Sequence, residues 1–183
     1  MEDSPEAAVL TGSYTPSVTG MYTLDIQNSR TAASETALSN FIDNITVSAA
    51  DSMLSADGQT LTAFYGSTRI LDLDAGPSYA NQNYWIWVNY SGCYPGCNVS
   101  GVNIPLNYDV LLDICLGYPG IPDPSFVGQL DGSGQAQASF YLKPAMNLTG
   151  LTLYFAYVVL PPSGGLPVLA ASNPINMTIT LFY

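Results

Sequence analysis

The chain of 183 residues contains no histidine, one lysine (Lys143) and two arginines (Arg30, Arg69), against 14 acids and a formal net charge of −11. That inventory lacks the side chains that titrate near neutrality and those that grip phosphate, so nucleic acid is set aside as a partner and acid–base catalysis is left few groups. Charged residues are only 9% of the sequence, far below the roughly 25% of an ordinary globular protein, so Ser, Thr, Asn, Gln and Tyr must form the polar surface.

The length fits one domain with an extension, and residues 1–28 are read as the extension ahead of a domain over 29–183. The opening Met1-Glu-Asp-Ser-Pro-Glu lacks the basic and apolar regions of a signal peptide. Within the extension, residues 20–26 alternate like a strand. Tyr22, Leu24 and Ile26 fall on one side, as an assembly strand that completes a sheet edge in its own subunit or a neighbouring one. A helix is predicted over 31–42, where Ala33, Ala37, Leu38, Phe41 and Ile42 share a face.

From there the pattern is of short β-rich runs punctuated by Gly, Pro, Asn and Asp, with strands predicted over 45–48, 60–65, 68–73, 84–90, 110–116, 136–142, 152–160 and 176–182. Their number and spacing predict an all-β, two-sheet antiparallel sandwich, Ig-like or jelly-roll-like. The turns carry their own chemistry. Asp131-Gly-Ser-Gly134 reads as a hairpin loop, and Tyr94-Pro-Gly-Cys97 places Pro and Gly at the centre of a type II turn. No run approaches the roughly 20 apolar residues of a membrane helix, so no membrane insertion is expected.

Several pieces resemble, in order and approximate spacing, a secreted β-sandwich domain of large extracellular proteins from planctomycete- and myxobacterial-type bacteria. They are Leu54-Ser-Ala-Asp-Gly-Gln-Thr-Leu61, Leu73-Asp-Ala-Gly-Pro77, Tyr90-Ser-Gly-Cys-Tyr-Pro-Gly96, Ile104-Pro-Leu-Asn107 with Asp109, Gly128-Gln-Leu-Asp-Gly-Ser-Gly-Gln-Ala136, Leu151-Thr-Leu-Tyr-Phe155 and Ala171-Ser-Asn-Pro174. The resemblance covers about residues 50–183. It implies a sandwich fold and an extracellular or cell-surface location after removal of a signal peptide absent from this chain, and it supplies no catalytic residues. Cys93 and Cys97 depart from the family's Ser-Gly-Thr-x-Pro-Gly pattern.

The Pro-Gly turn between Cys93 and Cys97 brings their backbones within disulfide range, so an oxidising compartment predicts a bridge; two free thiols are the alternative. Cys115, inside an apolar run, reads as a buried inert thiol. In Tyr84-Trp-Ile-Trp-Val-Asn-Tyr90 and Tyr154-Phe-Ala-Tyr-Val-Val-Leu160 both strand faces are apolar, so another part of the chain, a subunit or a ligand must cover the second face. Exposed, Trp85 and Trp87 with Tyr90 would form a flat platform for sugar rings, although a place in the core is the commoner fate of such a pair. Asp72 and Asp74 share a strand face, and with Asp51, Asp57, Asp109, Asp113 and Asp131 near turns they offer oxygens to Ca²⁺, but no calcium-loop motif is present. No cofactor or resident metal is expected. Five Asn-x-Ser/Thr matches, at Asn44, Asn89, Asn98, Asn147 and Asn176, read as a product of composition.

Together these features predict a non-enzymatic structural or adhesive surface protein whose partner is another copy of itself, in a filament or layer. The alternatives are a polysaccharide-binding module using Trp85, Trp87 and Tyr90, and a jelly-roll viral capsid protein.

Overall fold

A computed structural model of the protein describes residues 52–182. The strand predicted over 20–26 with Tyr22, Leu24 and Ile26, the helix over 31–42 and the strand over 45–48 lie outside the described residues, as does the extension at 1–28. The described chain is mostly β-structure with a single short α-helix.

The long strands form where β-branched and aromatic residues alternate. In the larger sheet β9 (Thr152–Leu160) is central, flanked by β4 (Asn83–Asn89) and β11 (Ile175–Thr180). Beyond these lie β7 (Val127–Gln129) next to β4 and β2 (Thr60–Thr62) next to β11, while β10 (Ala170–Ala171) pairs with β9. A smaller sheet holds β3 (Ser67–Asp74) between β1 (Leu54–Ala56) and β8 (Gln135–Leu142). A third pair, β5 (Cys97–Val99) and β6 (Val102–Ile104), is a hairpin closed by Ser100 and Gly101, both in the left-handed region (φ 57 and 85). The expected antiparallel arrangement holds with one correction, since β2 runs parallel to β11, with Thr178, Ile179 and Thr180 opposite Thr60, Leu61 and Thr62.

One buried cluster draws on both larger sheets, with Tyr84, Ile86 and Val88 of β4, Phe155 and Tyr157 of β9, Leu71 and Leu73 of β3, and Phe140 of β8. The opposite faces of β4 and β9 form a second cluster, in which Trp87, Ala156 and Val158 are covered by Ile104, Leu106, Leu112 and Val168. Coverage of the two-sided strands therefore comes from within the chain.

The segment over 110–116, expected as a strand, is a helix, α1 (Val110–Gly117). A short, largely apolar run fits either element. Here the Asp109 carboxylate accepts the Leu112 N–H at 2.9 Å as an N-cap, and Asp113 sits favourably in the first turn. Leu112 and Cys115, three residues apart, share the buried side.

Side chains close the seams between the sheets. Asn173 occupies the outer edge of β1, accepting the Leu54 N–H at 3.0 Å and donating to the Leu54 carbonyl at 2.9 Å, so that its amide acts as a one-residue strand. On β2 the Thr62 N–H donates to Ser67 Oγ and Arg69 Nε donates to the Thr60 carbonyl, each at 2.9 Å. Ser125 Oγ accepts the Ser139 N–H of β8 at 2.9 Å. These contacts use polar edge groups that would otherwise template pairing with another chain.

The Tyr157 hydroxyl is buried without a hydrogen-bond partner among the described residues, and burial, with the Asp74 charge adding to it, pushes its pKa upward. Removing an unsatisfied buried hydroxyl while keeping the ring relieves a desolvation cost. Tyr157→Phe is therefore expected to leave stability unchanged or raise it by about 1 kcal/mol in urea denaturation; a loss of that size would show that the hydroxyl is in fact bonded.

Candidate interaction surface

The loop after β4 is built by two residues distant in sequence. Asn107 donates through Nδ2 to the carbonyls of Ser91 (3.0 Å) and Tyr94 (2.8 Å) and accepts the Gly96 N–H at Oδ1 (2.9 Å). Its own N–H donates to the Gly92 carbonyl, and its carbonyl accepts from the Asn89 amide at 2.6 Å. Asp109 accepts the N–H groups of Tyr90 and Ser91 at 2.8 and 3.0 Å through one oxygen while capping α1 with the other. Gly96 takes φ 83, and a Cβ there would collide with the Ile104 carbonyl, so the turn requires glycine. The Asn89 side chain is fully buried and committed to this network, which removes it as a glycan acceptor in the folded protein.

This scaffold displays aromatic rings to solvent. Tyr94 is 77% exposed, Tyr108 63% and Tyr90 43%. The Tyr108 hydroxyl donates to the Asp113 carboxylate, and that bond holds the phenol pKa above its usual value.

The Trp pair departs from the expected platform. Trp87 is 3% exposed within the second core cluster, and the Trp85 and Trp87 rings meet edge to face, 5.6 Å between centroids and 89° between planes. Edge-to-face packing is favourable inside a core but presents no flat surface to a sugar. Of the three expected residues only Tyr90 is exposed.

The expected Cys93–Cys97 bond is not formed, and all three cysteines are free thiols. Cys97 packs against the second core cluster, whereas Cys93 lines an open groove of about 480 Å³ with Leu54, Tyr154 and Asn176, so the two side chains serve different surroundings. The hydrogen bonds of Asn107 hold the loop in place of a bridge. Burial raises the pKa of Cys97 and, more deeply in the fold, of Cys115, whose Sγ–H points at the Val88 carbonyl. Because the thiolate is the reactive form, alkylation of native protein without reductant should label Cys93 fastest and Cys97 more slowly. Cys115 should react only after unfolding, and intact-mass analysis showing a protected Cys93–Cys97 pair would contradict the structure.

Asp72 and Asp74 do share an exposed face, and with Asp131, Gln135 and Gln137 they line a depression of about 620 Å³. The carboxylates accept from their own surroundings: Asp72 from Gln137, Asp74 from Gln135 and the Gly76 N–H, Asp131 from the N–H groups of Ser133 and Gln135. Those two backbone donors hold the Asp131 pKa below its usual value. Among the described residues no group of three or more metal-ligating side chains is placed to hold an ion.

A second aromatic cluster was not legible as such in the sequence. Because β2 and β11 are parallel, they finish together, and Phe64 meets Tyr65 and Phe182 with ring centroids 4.6 and 5.1 Å apart. Tyr65 is 74% exposed and Phe182 53%. β4 also ends on this side, since Asn89 lies opposite Tyr154 and Thr152 opposite Thr178, so the Tyr90 loop and the Phe64 cluster occupy one end of the fold.

No family model, curated protein or solved structure matches the chain. No helix among the described residues is long and apolar enough to cross a membrane.

Proposed function

We propose that the protein is a non-enzymatic extracellular structural or adhesive component that assembles with copies of itself. The observation that carries this reading is the concentration of exposed aromatic side chains at one end of the fold, on a loop fixed by Asn107 and Asp109 and around Phe64 and Phe182. Rigid, exposed aromatic groups lose little entropy on contact and bury much apolar area, which is what an association surface requires. A chain with no histidine and three basic residues has little with which to run a reaction, and its clustered carboxylates already serve neighbouring donors.

That residues of both larger sheets share one buried cluster supports the reading of an Ig-like or jelly-roll-like sandwich. Three pieces of the resemblance to the secreted bacterial domain acquire a physical reason. Ser91 to Gly96 is held by Asn107 and Asp109; Leu54 is held by Asn173; and the Asp131 turn packs on the Leu73-Asp-Ala-Gly76 segment, where a Cβ at Gly134 would strike the Gly76 carbonyl. Secretion is part of the proposal on that resemblance.

Light scattering on full-length protein eluting from a sizing column tests the reading. The mass is expected to rise with loading concentration, whereas the monomer mass at every concentration would sink it. A second reading, binding of a neutral polysaccharide, is favoured by one observation, the 77% exposure of Tyr94 on the clamped loop. In affinity electrophoresis that reading requires retardation by a polysaccharide gel that Tyr94→Ala removes.

A further inference from the structure

The aromatic end carries a positive charge, Lys143, and the acidic depression lies at the opposite end of the β3–β8 sheet that Lys143 follows. Lys143 follows β8 directly and is exposed; the Ala145 N–H donates to the Ala63 carbonyl at 2.8 Å, which sets Lys143 beside the turn bearing Phe64 and Tyr65. The register of β3 with β8 pairs Ser67 with Leu142 at this end and Asp74 with Gln135 at the opposite end. Strand rise of about 3.3 Å per residue separates the two ends by roughly 23 Å. Asp72, Asp74 and Asp131 are exposed at the far end.

We infer that the Lys143 end of one molecule docks, head to tail, on the depression lined by Asp72, Asp74 and Asp131 of the next copy. The inference rests on the self-assembly reading and names the two faces involved. Charge complementarity selects the occupant. A partner for a surface of exposed rings around one lysine must present acceptors, and this chain offers a carboxylate-lined surface at its opposite end. One molecule cannot satisfy both faces itself across that distance, so the contact is heterologous and, unless the rotation closes a ring, propagates. An exposed ion pair contributes little affinity on its own. The Phe64, Tyr65 and Phe182 rings supply the buried area, and the charges set direction and register.

Sedimentation velocity of the full chain tests this with Lys143→Glu, Asp72→Lys and their equimolar mixture. Both positions are exposed, and each variant is first shown to keep the wild-type unfolding curve. Either variant alone places like charges in contact and is expected to raise the concentration for half-assembly about tenfold or more. The mixture is expected to assemble at lower concentration than either variant alone, since position 143 then meets an opposite charge at position 72 in every contact of an alternating array. If the wild type assembles and the variants assemble equally well, or the mixture assembles no better than either variant alone, the docking inference is wrong while the self-assembly reading stands. A wild type that stays monomeric throughout overturns both.

Discussion

Trp87→Ala is expected to lower stability by about 3–5 kcal/mol, the range for emptying a buried aromatic site. The side chain is 3% exposed and packed among Ile104, Leu106, Leu112, Val158 and the Trp85 ring. These neighbours come from the β6 region, α1 and β9, so the void cannot be filled by one flexible group. Such a loss is a large part of the 5–15 kcal/mol that holds a typical domain folded. Urea denaturation followed by tryptophan fluorescence or circular dichroism would measure it. A loss below about 1 kcal/mol, with sugar binding abolished, would instead return Trp87 to an exposed platform.

Asn107→Ala should cost about 1–3 kcal/mol, because one amide makes three hydrogen bonds that net roughly 0.5–1.5 kcal/mol each, two of them to carbonyls at the exposed surface and one to the partly buried Gly96 N–H. The carbonyls of Ser91 and Tyr94 and the Gly96 N–H would lose their partner together. Asn107→Asp separates geometry from bonding. It keeps the acceptor for Gly96 but removes both donors and sets a carboxylate against two carbonyls, so it should be at least as damaging as alanine. Thermal unfolding checks the magnitude, and amide exchange checks the location, with faster exchange expected at Gly96. Equal stability of both variants and wild type would show that the loop is held by something other than this side chain.

How much of this was legible in the sequence depended on whether a signal was local. The two-sided strands β4 and β9 were readable because alternation places Tyr84, Ile86 and Val88 on one face and Trp85 and Trp87 on the other, both apolar. What covered the second face was not readable, since Ile104, Leu112 and Val168 come from three separate segments. The helix α1 was mistaken for a strand although Asp109, Asp113 and Gly117 were present as cap, first-turn acid and terminal glycine; six apolar residues around a single acid leave too little pattern to show a period. The β5–β6 hairpin was missed, since its strands are only three residues each. β7 was missed too, because Val127, Gly128 and Gln129 are all exposed and leave no apolar pattern. Asn107 could be marked only through the family resemblance, because its partners lie 11 to 16 residues away and nothing in their types announces the bonds. The cysteine pair erred the other way. Spacing alone fitted a bridge, but the packing of Cys97 against the second cluster and of Cys93 in the groove decides the side-chain directions.

The central claim, that the protein is a self-assembling structural subunit, meets its most direct test in electron micrographs of purified full-length protein taken over a rising concentration series. The account predicts fibres or sheets whose repeat matches one domain stacked head to tail. Uniform isolated particles of monomer size at every concentration would contradict it, and closed shells would replace it with the capsid alternative.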